Sequence, residues 1–131
     1  MNVLLDTQVW LWMLAAPNRL GPETTELLSS EGNTVFLSAA SSWEIAIKYD
    51  LGKLPLPEPP GRYVPDRMRR SGVVGIAVEH AHALAVASLP DQHRDPFDRL
   101  LVGQAQVEQL PIVSVDPQLA RYDVEVIDAN G

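Results

Sequence analysis

The chain has 131 residues, of which 46% are hydrophobic and 21% charged, and it contains no cysteine. This length corresponds to one domain, and the lack of cysteine excludes disulfide scaffolds, thiolate zinc sites and cysteine nucleophiles. The formal net charge of −7 excludes a nucleic-acid binder that relies on overall positive charge. Neither a membrane span nor a signal peptide is recognisable. We therefore expect one cytoplasmic domain over residues 1–131, with no membrane association.

Short apolar runs alternate with helical patterns along the chain. In chain order the predicted elements are a strand at 3–5, helices at 7–16 and 22–31, a strand at 35–37, a helix starting at Ser41 and ending near Gly52, an irregular proline-rich connection at 55–61, a strand at 73–78, helices at 79–89 and 97–110, and strands at 112–115 and 124–127. This alternation favours an α/β fold with a central, mostly parallel sheet of four to five strands flanked by helices.

Acidic residues stand at several junctions between the predicted elements. Asp6 follows the first strand, Glu44 lies in the first turn of the helix after the second, and Asp116 follows the fourth. Asp98 lies in the first turn of the helix that precedes the fourth strand. In an open parallel sheet, ligands bind outside the carboxyl ends of the strands. We therefore expect these carboxylates to gather near one edge of the sheet.

Each acid also has a purely structural interpretation. Acids are favoured near helix N-termini, and Ser41 and Glu44 have the spacing of a capping box. The pairs Asp95-Pro96 and Asp116-Pro117 each have the pattern of an N-cap followed by proline at the first helical position. Asp6 differs because it ends an apolar strand, where a buried carboxylate is costly unless it is paired or bound to metal.

Several carboxylates at one edge would repel one another, by about 4 kcal/mol per pair at roughly 4 Å and an effective dielectric near 20. Few basic residues are available nearby, and no lysine follows Lys53. A divalent ion is the economical neutraliser, and oxygen ligands suit Mg²⁺ or Mn²⁺ better than zinc. Such an ion commonly serves phosphodiester hydrolysis. The pattern leaves both interpretations open, helix caps and a metal-dependent hydrolase.

As a set, four segments resemble the PIN-domain ribonucleases, and most closely the VapC-type toxins of bacterial toxin–antitoxin pairs. They are VLLDT at 3–7, SWEIAIKYDLGKL at 42–54, RDPFDRLL at 94–101 and SVD at 114–116. Their order and spacing match the family over essentially the whole chain. The resemblance implies an RNA-cleaving pocket that binds Mg²⁺ or Mn²⁺, with four acids at the family's acidic positions: Asp6, Glu44, Asp98 and Asp116.

The resemblance also implies roles for these residues. Asp6, Glu44 and Asp98 would hold the metal, directly or through water, and Asp116 would complete the pocket or orient a second ion. A metal-activated water would then hydrolyse the phosphodiester bond without a covalent intermediate. Thr7 matches a hydroxyl position beside the pocket, and we interpret Asp95 as a cap. The implied partners are an RNA substrate, a VapB-type antitoxin and a second copy of the chain in a homodimer.

Two residues depart from the family pattern. Gln8 stands where many relatives carry histidine, and Gly103 stands where alanine is usual. Because glycine in a helix costs about 1 kcal/mol relative to alanine, Gly103 is expected to loosen its helix.

Basic residues and histidines outside the acidic set have open interpretations. The four arginines within 62–70 are either RNA or antitoxin contacts or a solvated helix face. Arg99 is either a phosphate contact or part of a local ion pair, and Lys48 is expected to form a helix-surface salt bridge with Glu44. His93 lies in the loop before Asp95 and could approach the pocket.

Two alternative functions have an acidic pocket in common with the nuclease hypothesis. A phospho-receiver signalling domain needs a lysine near its last strands, and this chain has none after residue 53. A catalytically silent interaction protein is disfavoured because all four acids are present.

Overall fold

The computed structural model describes residues 1–91 and 95–131, and its five strands form a single parallel sheet. The spatial order is β3-β2-β1-β4-β5. The strands are β1 (Asn2–Leu5), β2 (Thr34–Ser38), β3 (Val74–Ile76), β4 (Ile112–Ser114) and β5 (Val126–Asp128). The predicted α/β class is confirmed, and the first strand lies at the centre of the sheet.

Six α-helices connect or flank the described strands. They are α1 (Thr7–Ala15), α2 (Pro22–Ser29), α3 (Ala39–Asp50), α4 (Pro60–Ser71), α5 (His80–Ala85) and α6 (Pro96–Glu108). Short 3₁₀ turns occupy Pro17–Arg19, Val86–Ser88 and Pro117–Arg121. Among the described residues, no helix combines the length and apolar character needed to cross a membrane.

The sheet has a hydrophobic core on each face. Side chains alternate along β1, so Val3 and Leu5 belong to the core that includes Trp10 of α1, whereas Leu4 belongs to the opposite core with Leu101 of α6. A parallel sheet covered on both faces needs apolar residues at every strand position. This explains why residues 3–5 of β1 form a continuous apolar run rather than an alternating one.

The start of α3 differs from its prediction. The helix begins at Ala39, and the side chain of Ser38 caps it by accepting a backbone N–H at 3.0 Å. Glu44 therefore lies in the second turn rather than the first, and the predicted capping box between Ser41 and Glu44 is wrong. The cap comes from the last residue of β2, because the strand runs into the helix with no intervening loop.

Two outer strands are shorter or shifted relative to their predictions. β3 covers Val74–Ile76 instead of 73–78, and β5 begins at Val126 instead of residue 124. Val124 is partly buried against the core on the α6 side without joining the sheet. Apolar residues next to a strand can be buried without pairing, so hydrophobicity alone extends the predicted strands too far.

Gly103 lies in α6 where α5 approaches it most closely. A Cβ atom at this position would lie 2.9 Å from the carbonyl oxygen of His82 and 3.4 Å from a methyl carbon of Val86. The missing side chain therefore permits close helix packing. The intrinsic cost of glycine in this helix is therefore weighed against a close tertiary contact that a larger residue would disturb, and loosening of the helix stays a prediction.

Replacing Gly103 by alanine is expected to lower the free energy of unfolding by about 1 kcal/mol, despite alanine's similar advantage in helix propensity. The matched control is Gly61→Ala in α4, where the added Cβ meets no atom within 4 Å. That change should stabilise the protein slightly. Urea denaturation measures both, and stabilisation by Gly103→Ala equal to that of Gly61→Ala would contradict the close-packing explanation.

Candidate active site

Asp6 lies at the junction between the central strand and α1. Its side chain is buried, and its carboxylate accepts the Gln8 N–H at 3.4 Å and the Ser114 hydroxyl at 2.6 Å. Its own backbone N–H donates to the carbonyl of Val113 on β4 at 3.0 Å. The residue is thus held by both neighbouring elements, and it caps α1 while pointing its carboxylate toward the carboxyl edge of the sheet.

The electrostatic surroundings of Asp6 disfavour its charged form. Burial raises the pKa of this carboxyl above its ordinary value, and the charges of Glu44 and Asp116 raise it further. The hydrogen bonds from Ser114 and Gln8 lower the pKa and partly offset these effects. A cation placed beside Asp6 would relieve this penalty, since an opposite charge favours the carboxylate.

Glu44 is buried on α3 and has unequal surroundings at its two oxygens. One carboxylate oxygen, Oε2, accepts a hydrogen bond from Lys48 Nζ at 2.5 Å. The other, Oε1, is buried without a hydrogen-bond partner among the described residues. Leaving a buried carboxylate oxygen unsatisfied is costly. This oxygen is therefore a suitable ligand for a cation.

The N-terminus of α6 contributes two further acids. Asp95 caps this helix, because its side chain accepts the N–H of Phe97 at 2.9 Å and that of Asp98 at 3.3 Å. The predicted cap is confirmed. Asp98 lies in the first helical turn, as predicted, and both acids face the same cavity as Asp6.

A cavity of about 300 Å³ collects these side chains, and its charged lining residues are Asp6, Glu44, Asp95, Asp98, Lys48 and Lys53. A larger cavity of about 700 Å³ lies among α1, α2 and α4, and its charged lining residues among those described are the arginines Arg67 and Arg70, without an acid. Since a divalent metal ion needs carboxylate ligands, the smaller cavity is the candidate active site.

Asp116 is adjacent to this cavity but does not line it. Its side chain accepts the N–H of Gln118 at 2.9 Å and caps the 3₁₀ turn, as predicted. Its backbone N–H donates to the hydroxyl oxygen of Ser114 at 3.0 Å, and the same hydroxyl donates to Asp6. Three of the four predicted site acids therefore share one cavity, and the fourth is linked to it through Ser114.

The residues present fit a hydrated divalent cation rather than a fully protein-enclosed one. Among residues 1–91 and 95–131, no three His, Asp or Glu side chains lie close enough to hold one ion directly. The candidate ligand atoms are all oxygens, and one buried oxygen of Glu44 has no hydrogen-bond partner within the described part of the chain. Mg²⁺ typically keeps several waters and uses one or two carboxylates. The site therefore suits a magnesium-type ion held partly through water.

The two lysines at the cavity are functional candidates that the sequence interpretation missed. The predicted contact between Lys48 and Glu44 is confirmed, but it lies inside the acidic cavity rather than on an open helix surface. The hydrogen bond to Glu44 raises the pKa of Lys48, with smaller contributions from the charges of Asp95 and Asp98. The spacing of Lys48 from Glu44 was the available signal.

A hydrogen bond between two hydroxyl groups joins α1, which Asp6 caps, to α3, which carries Glu44. The Thr7 hydroxyl donates to Ser41 Oγ at 2.8 Å, and both residues are buried. Thr7 thus lines the cavity and ties α1 to α3. No pattern in the sequence indicated Ser41 as its partner, because the contact joins residues 34 positions apart.

The other basic residues have mainly structural contacts. The Arg99 guanidinium donates to the carbonyl oxygens of Pro90 at 2.8 Å and Val86 at 3.2 Å. Within 62–70, Arg67 pairs with Glu58 and Asp66. Arg69 and Arg70 pair with the same Asp66, so two acids offset part of the charge of the four arginines. A contact of this segment with RNA or an antitoxin stays a prediction. His93 and Arg94 lie outside the described residues.

The PIN domain family model matches residues 3–125, a stretch that includes every acid of the cavity. The chain therefore belongs to the PIN domain family. A curated relative, Ribonuclease VapC16 of Mycobacterium tuberculosis (strain ATCC 25618 / H37Rv), is 58% identical over 60 residues. The aligned stretch covers 46% of this chain and 43% of that relative, which is less than half of either length.

Solved structures show the same fold. The chain is similar to VapBC2 from Rickettsia felis, whose crystal structure includes a DNA fragment from its promoter, with a TM-score of 0.72, 15% identity and coverage of 97% of this chain and 98% of that one. FitAcB from Neisseria gonorrhoeae gives a TM-score of 0.60 with 19% identity, and the match covers 98% of each chain. At these identities the likeness establishes the fold alone.

Proposed function

We propose that this protein is a divalent-metal-dependent endoribonuclease that acts as the toxin of a VapBC-type toxin–antitoxin pair. One observation carries the proposal: buried Asp6 and Glu44 line one cavity, and one carboxylate oxygen of Glu44 has no hydrogen-bond partner among the described residues. Membership of the PIN domain family and the partial match to a relative named a ribonuclease support the choice of RNA.

The residues of the cavity have distinct roles in this mechanism. Asp6, Glu44 and Asp98 would hold Mg²⁺ or Mn²⁺, partly through bound water, and Asp116 would complete the site from behind Asp6. When bound, the metal would polarise the scissile phosphate and lower the pKa of a coordinated water. The hydroxyl of Ser114 orients the carboxylate of Asp6 and keeps it facing the cavity.

Hydrogen bonds around the cavity hold the side chain of Asp6 and the helices α1 and α3 in place before substrate binds. The carboxylate of Asp6 is fixed at both ends by Gln8 and Ser114, and the hydrogen bond between Thr7 and Ser41 fixes α1 against α3. Groups held in place by packing and hydrogen bonds need little reorganisation during reaction. Because the attacking group is water, no protein nucleophile and no covalent intermediate are required.

The proposal is tested by incubating the purified protein with total cellular RNA in Mg²⁺, in Mn²⁺ and in EDTA. We expect cleavage with either ion and loss to background in EDTA, with activity returning when excess metal is added. Sequencing of the new 5′ ends identifies the cut sites. Cleavage that persists undiminished in EDTA would exclude a metal-dependent mechanism.

The proposed partners follow from the same family membership. A VapB-type antitoxin would neutralise the toxin, and a basic side chain of such a partner would fit the acidic cavity electrostatically. We also propose a homodimer, as the family resemblance implies, and a monomer by light scattering at micromolar concentration would contradict it.

A further inference from the structure

Both lysines of the chain lie at the acidic cavity. The sequence contains only Lys48 and Lys53, and both line the cavity together with four carboxylates. None of the arginines in the described residues lines it. A chain with a formal net charge of −7 thus places its two compact cations at a cavity lined by four acids.

The end of α3 accounts for the position of the second lysine. Lys48 lies one helical turn after Glu44, and the helix ends two residues later at Asp50. Gly52 then adopts a left-handed conformation with φ of 72°, which turns the chain back. The Lys53 N–H donates to the carbonyl of Lys48 at 2.9 Å, so the two lysines are joined by backbone at the same rim.

The accessibility of this ion pair is asymmetric. The Lys48 side chain is 42% exposed, whereas that of its partner Glu44 is only 9% exposed. The ammonium group therefore lies between a buried carboxylate and solvent. Lysine carries its charge on one ammonium group at the end of a flexible side chain, whereas arginine can bind a carboxylate through two parallel hydrogen bonds. Lys48 is thus suited to exchange one anionic partner for another.

An acidic cavity presents an electrostatic problem to an RNA backbone. Phosphates are repelled by the carboxylates, and nucleic-acid affinity comes largely from cations that contact phosphates. A metal ion at Oε1 of Glu44 would neutralise the carboxylate and weaken its attraction for the Lys48 ammonium, which binds the other oxygen, Oε2, and so release that ammonium toward the rim. The released Lys48 and its neighbour Lys53 would then supply the two positive charges that the approaching backbone needs.

We propose that Lys48 and Lys53 are phosphate-positioning residues for a single-stranded RNA backbone, and that Lys48 exchanges Glu44 for a phosphate when a divalent ion binds. The proposal rests on the nuclease function proposed above. It assigns to Lys48 two successive partners, an internal carboxylate in the metal-free protein and the substrate in the metal-bound one.

The first test measures how binding of a non-substrate backbone depends on salt. Fluorescein-labelled oligo(dT) of 20 nucleotides is titrated with the full chain in Mg²⁺ from 50 to 200 mM NaCl, and anisotropy gives the affinity. Each lost phosphate contact should reduce the slope of log affinity against log salt by about 0.7. We expect this reduction in Lys48→Met and in Lys53→Met, with affinity about threefold to tenfold weaker at 50 mM NaCl.

The matched control removes one positive charge elsewhere. Arg19 stacks its guanidinium over the Trp12 ring at 5.3 Å and does not line the acidic cavity. Arg19→Met should leave the salt slope unchanged. An equal fall in slope for Arg19→Met would overturn the proposal, because it would show a response to net charge alone.

The second test uses Mn²⁺ alone and needs no RNA. Because Lys48 competes for Glu44, Lys48→Met should bind Mn²⁺ roughly threefold to tenfold more tightly in calorimetry. Weaker Mn²⁺ binding by Lys48→Met would overturn the exchange. If Lys48→Met fails to fold, Lys48→Gln retains polar capacity at the position and carries the same two measurements.

The outcomes separate this proposal from the function on which it rests. If the unaltered chain does not cleave RNA in Mg²⁺ or Mn²⁺, the proposed function fails. If it cleaves RNA while both lysine variants keep the salt slope and KM of the unaltered chain, only the lysine proposal fails. A raised KM with little change in kcat, together with the reduced slope, is the expected result.

Discussion

Replacing Asp6 by asparagine is expected to reduce RNA cleavage by at least roughly 10²–10³-fold, which corresponds to about 3–4 kcal/mol of lost transition-state stabilisation. Asparagine has nearly the same shape and serves equally well as a helix cap. It can still accept the Gln8 N–H, so the backbone at the start of α1 should not change. What it removes is the negative charge that a divalent ion needs.

The same substitution should stabilise the metal-free protein. Burial and the charges of Glu44 and Asp116 raise the pKa of Asp6, so the folded state binds its proton more tightly than the unfolded state. Stability therefore falls as pH rises from the ordinary carboxyl pKa of about 3.9 through the raised value. Asp6→Asn lacks this loss, and its melting temperature at pH 7 should be higher by roughly 2–5 °C.

Three measurements check the Asp6 prediction together. Cleavage is assayed in Mg²⁺, melting is followed without metal at pH 4 and pH 7, and melting is repeated with Mn²⁺. The stabilising effect should be larger at pH 7 than at pH 4, and Mn²⁺ should raise the melting temperature of the unaltered chain more than that of Asp6→Asn. Asp123→Asn, at an exposed position, is the control for charge. Full cleavage activity of Asp6→Asn would show that Asp6 serves only as a helix cap.

Replacing Trp10 by alanine is expected to destabilise the protein by about 3–5 kcal/mol, which approaches the whole stability of many domains. The side chain is fully buried in the core beneath α1, and its ring N–H donates to Ser71 Oγ on α4 at 3.2 Å. Alanine would leave a cavity and also remove this hydrogen bond. The position of Asp6 depends on α1, because Asp6 caps this helix. Activity should therefore fall in proportion to the fraction of protein that is folded.

Two matched variants sharpen the Trp10 prediction. Trp10→Phe keeps most of the ring and should cost about 1–2 kcal/mol through the lost hydrogen bond and smaller volume. Trp12→Ala removes the same side chain two residues later, where it is only partly buried and stacks against Arg19. Urea denaturation should rank the losses as Trp10→Ala, then the other two. Equal losses for Trp10→Ala and Trp12→Ala would contradict the assignment of the core.

Much of the architecture could be predicted from local patterns. The run at 3–5 predicted the strand that lies at the centre of the sheet, and Gly52 predicted the end of its helix, because hydrophobic periodicity and backbone restrictions act over a few residues. The caps at Asp95 and Asp116 were predictable for the same reason. The start of α3 was predicted too late, because Ser41 and Glu44 have capping-box spacing, whereas the cap in the structure is Ser38, the last residue of β2.

The sequence also predicted that acids stand at strand-to-helix junctions. It further predicted that Asp6, Glu44 and Asp98 lie near one edge of the sheet. Which side chains share a cavity could not be predicted from it. Asp95 lines it while Asp116 lies behind Ser114, and both lysines meet the acids there. Likewise, Gly103 is required by the carbonyl of His82, which is distant in sequence.

The difference between the features that were predictable from the sequence and those that were not has a physical cause. Helix and strand formation, capping and chain reversal depend on neighbours within a few residues, so the amino-acid order specifies them directly. The composition of the cavity depends on strand order in the sheet and on the packing of α1, α3 and α6, which bring together groups as far apart as Asp6 and Ser114. Those distances are set only when the two hydrophobic cores form on either side of the sheet.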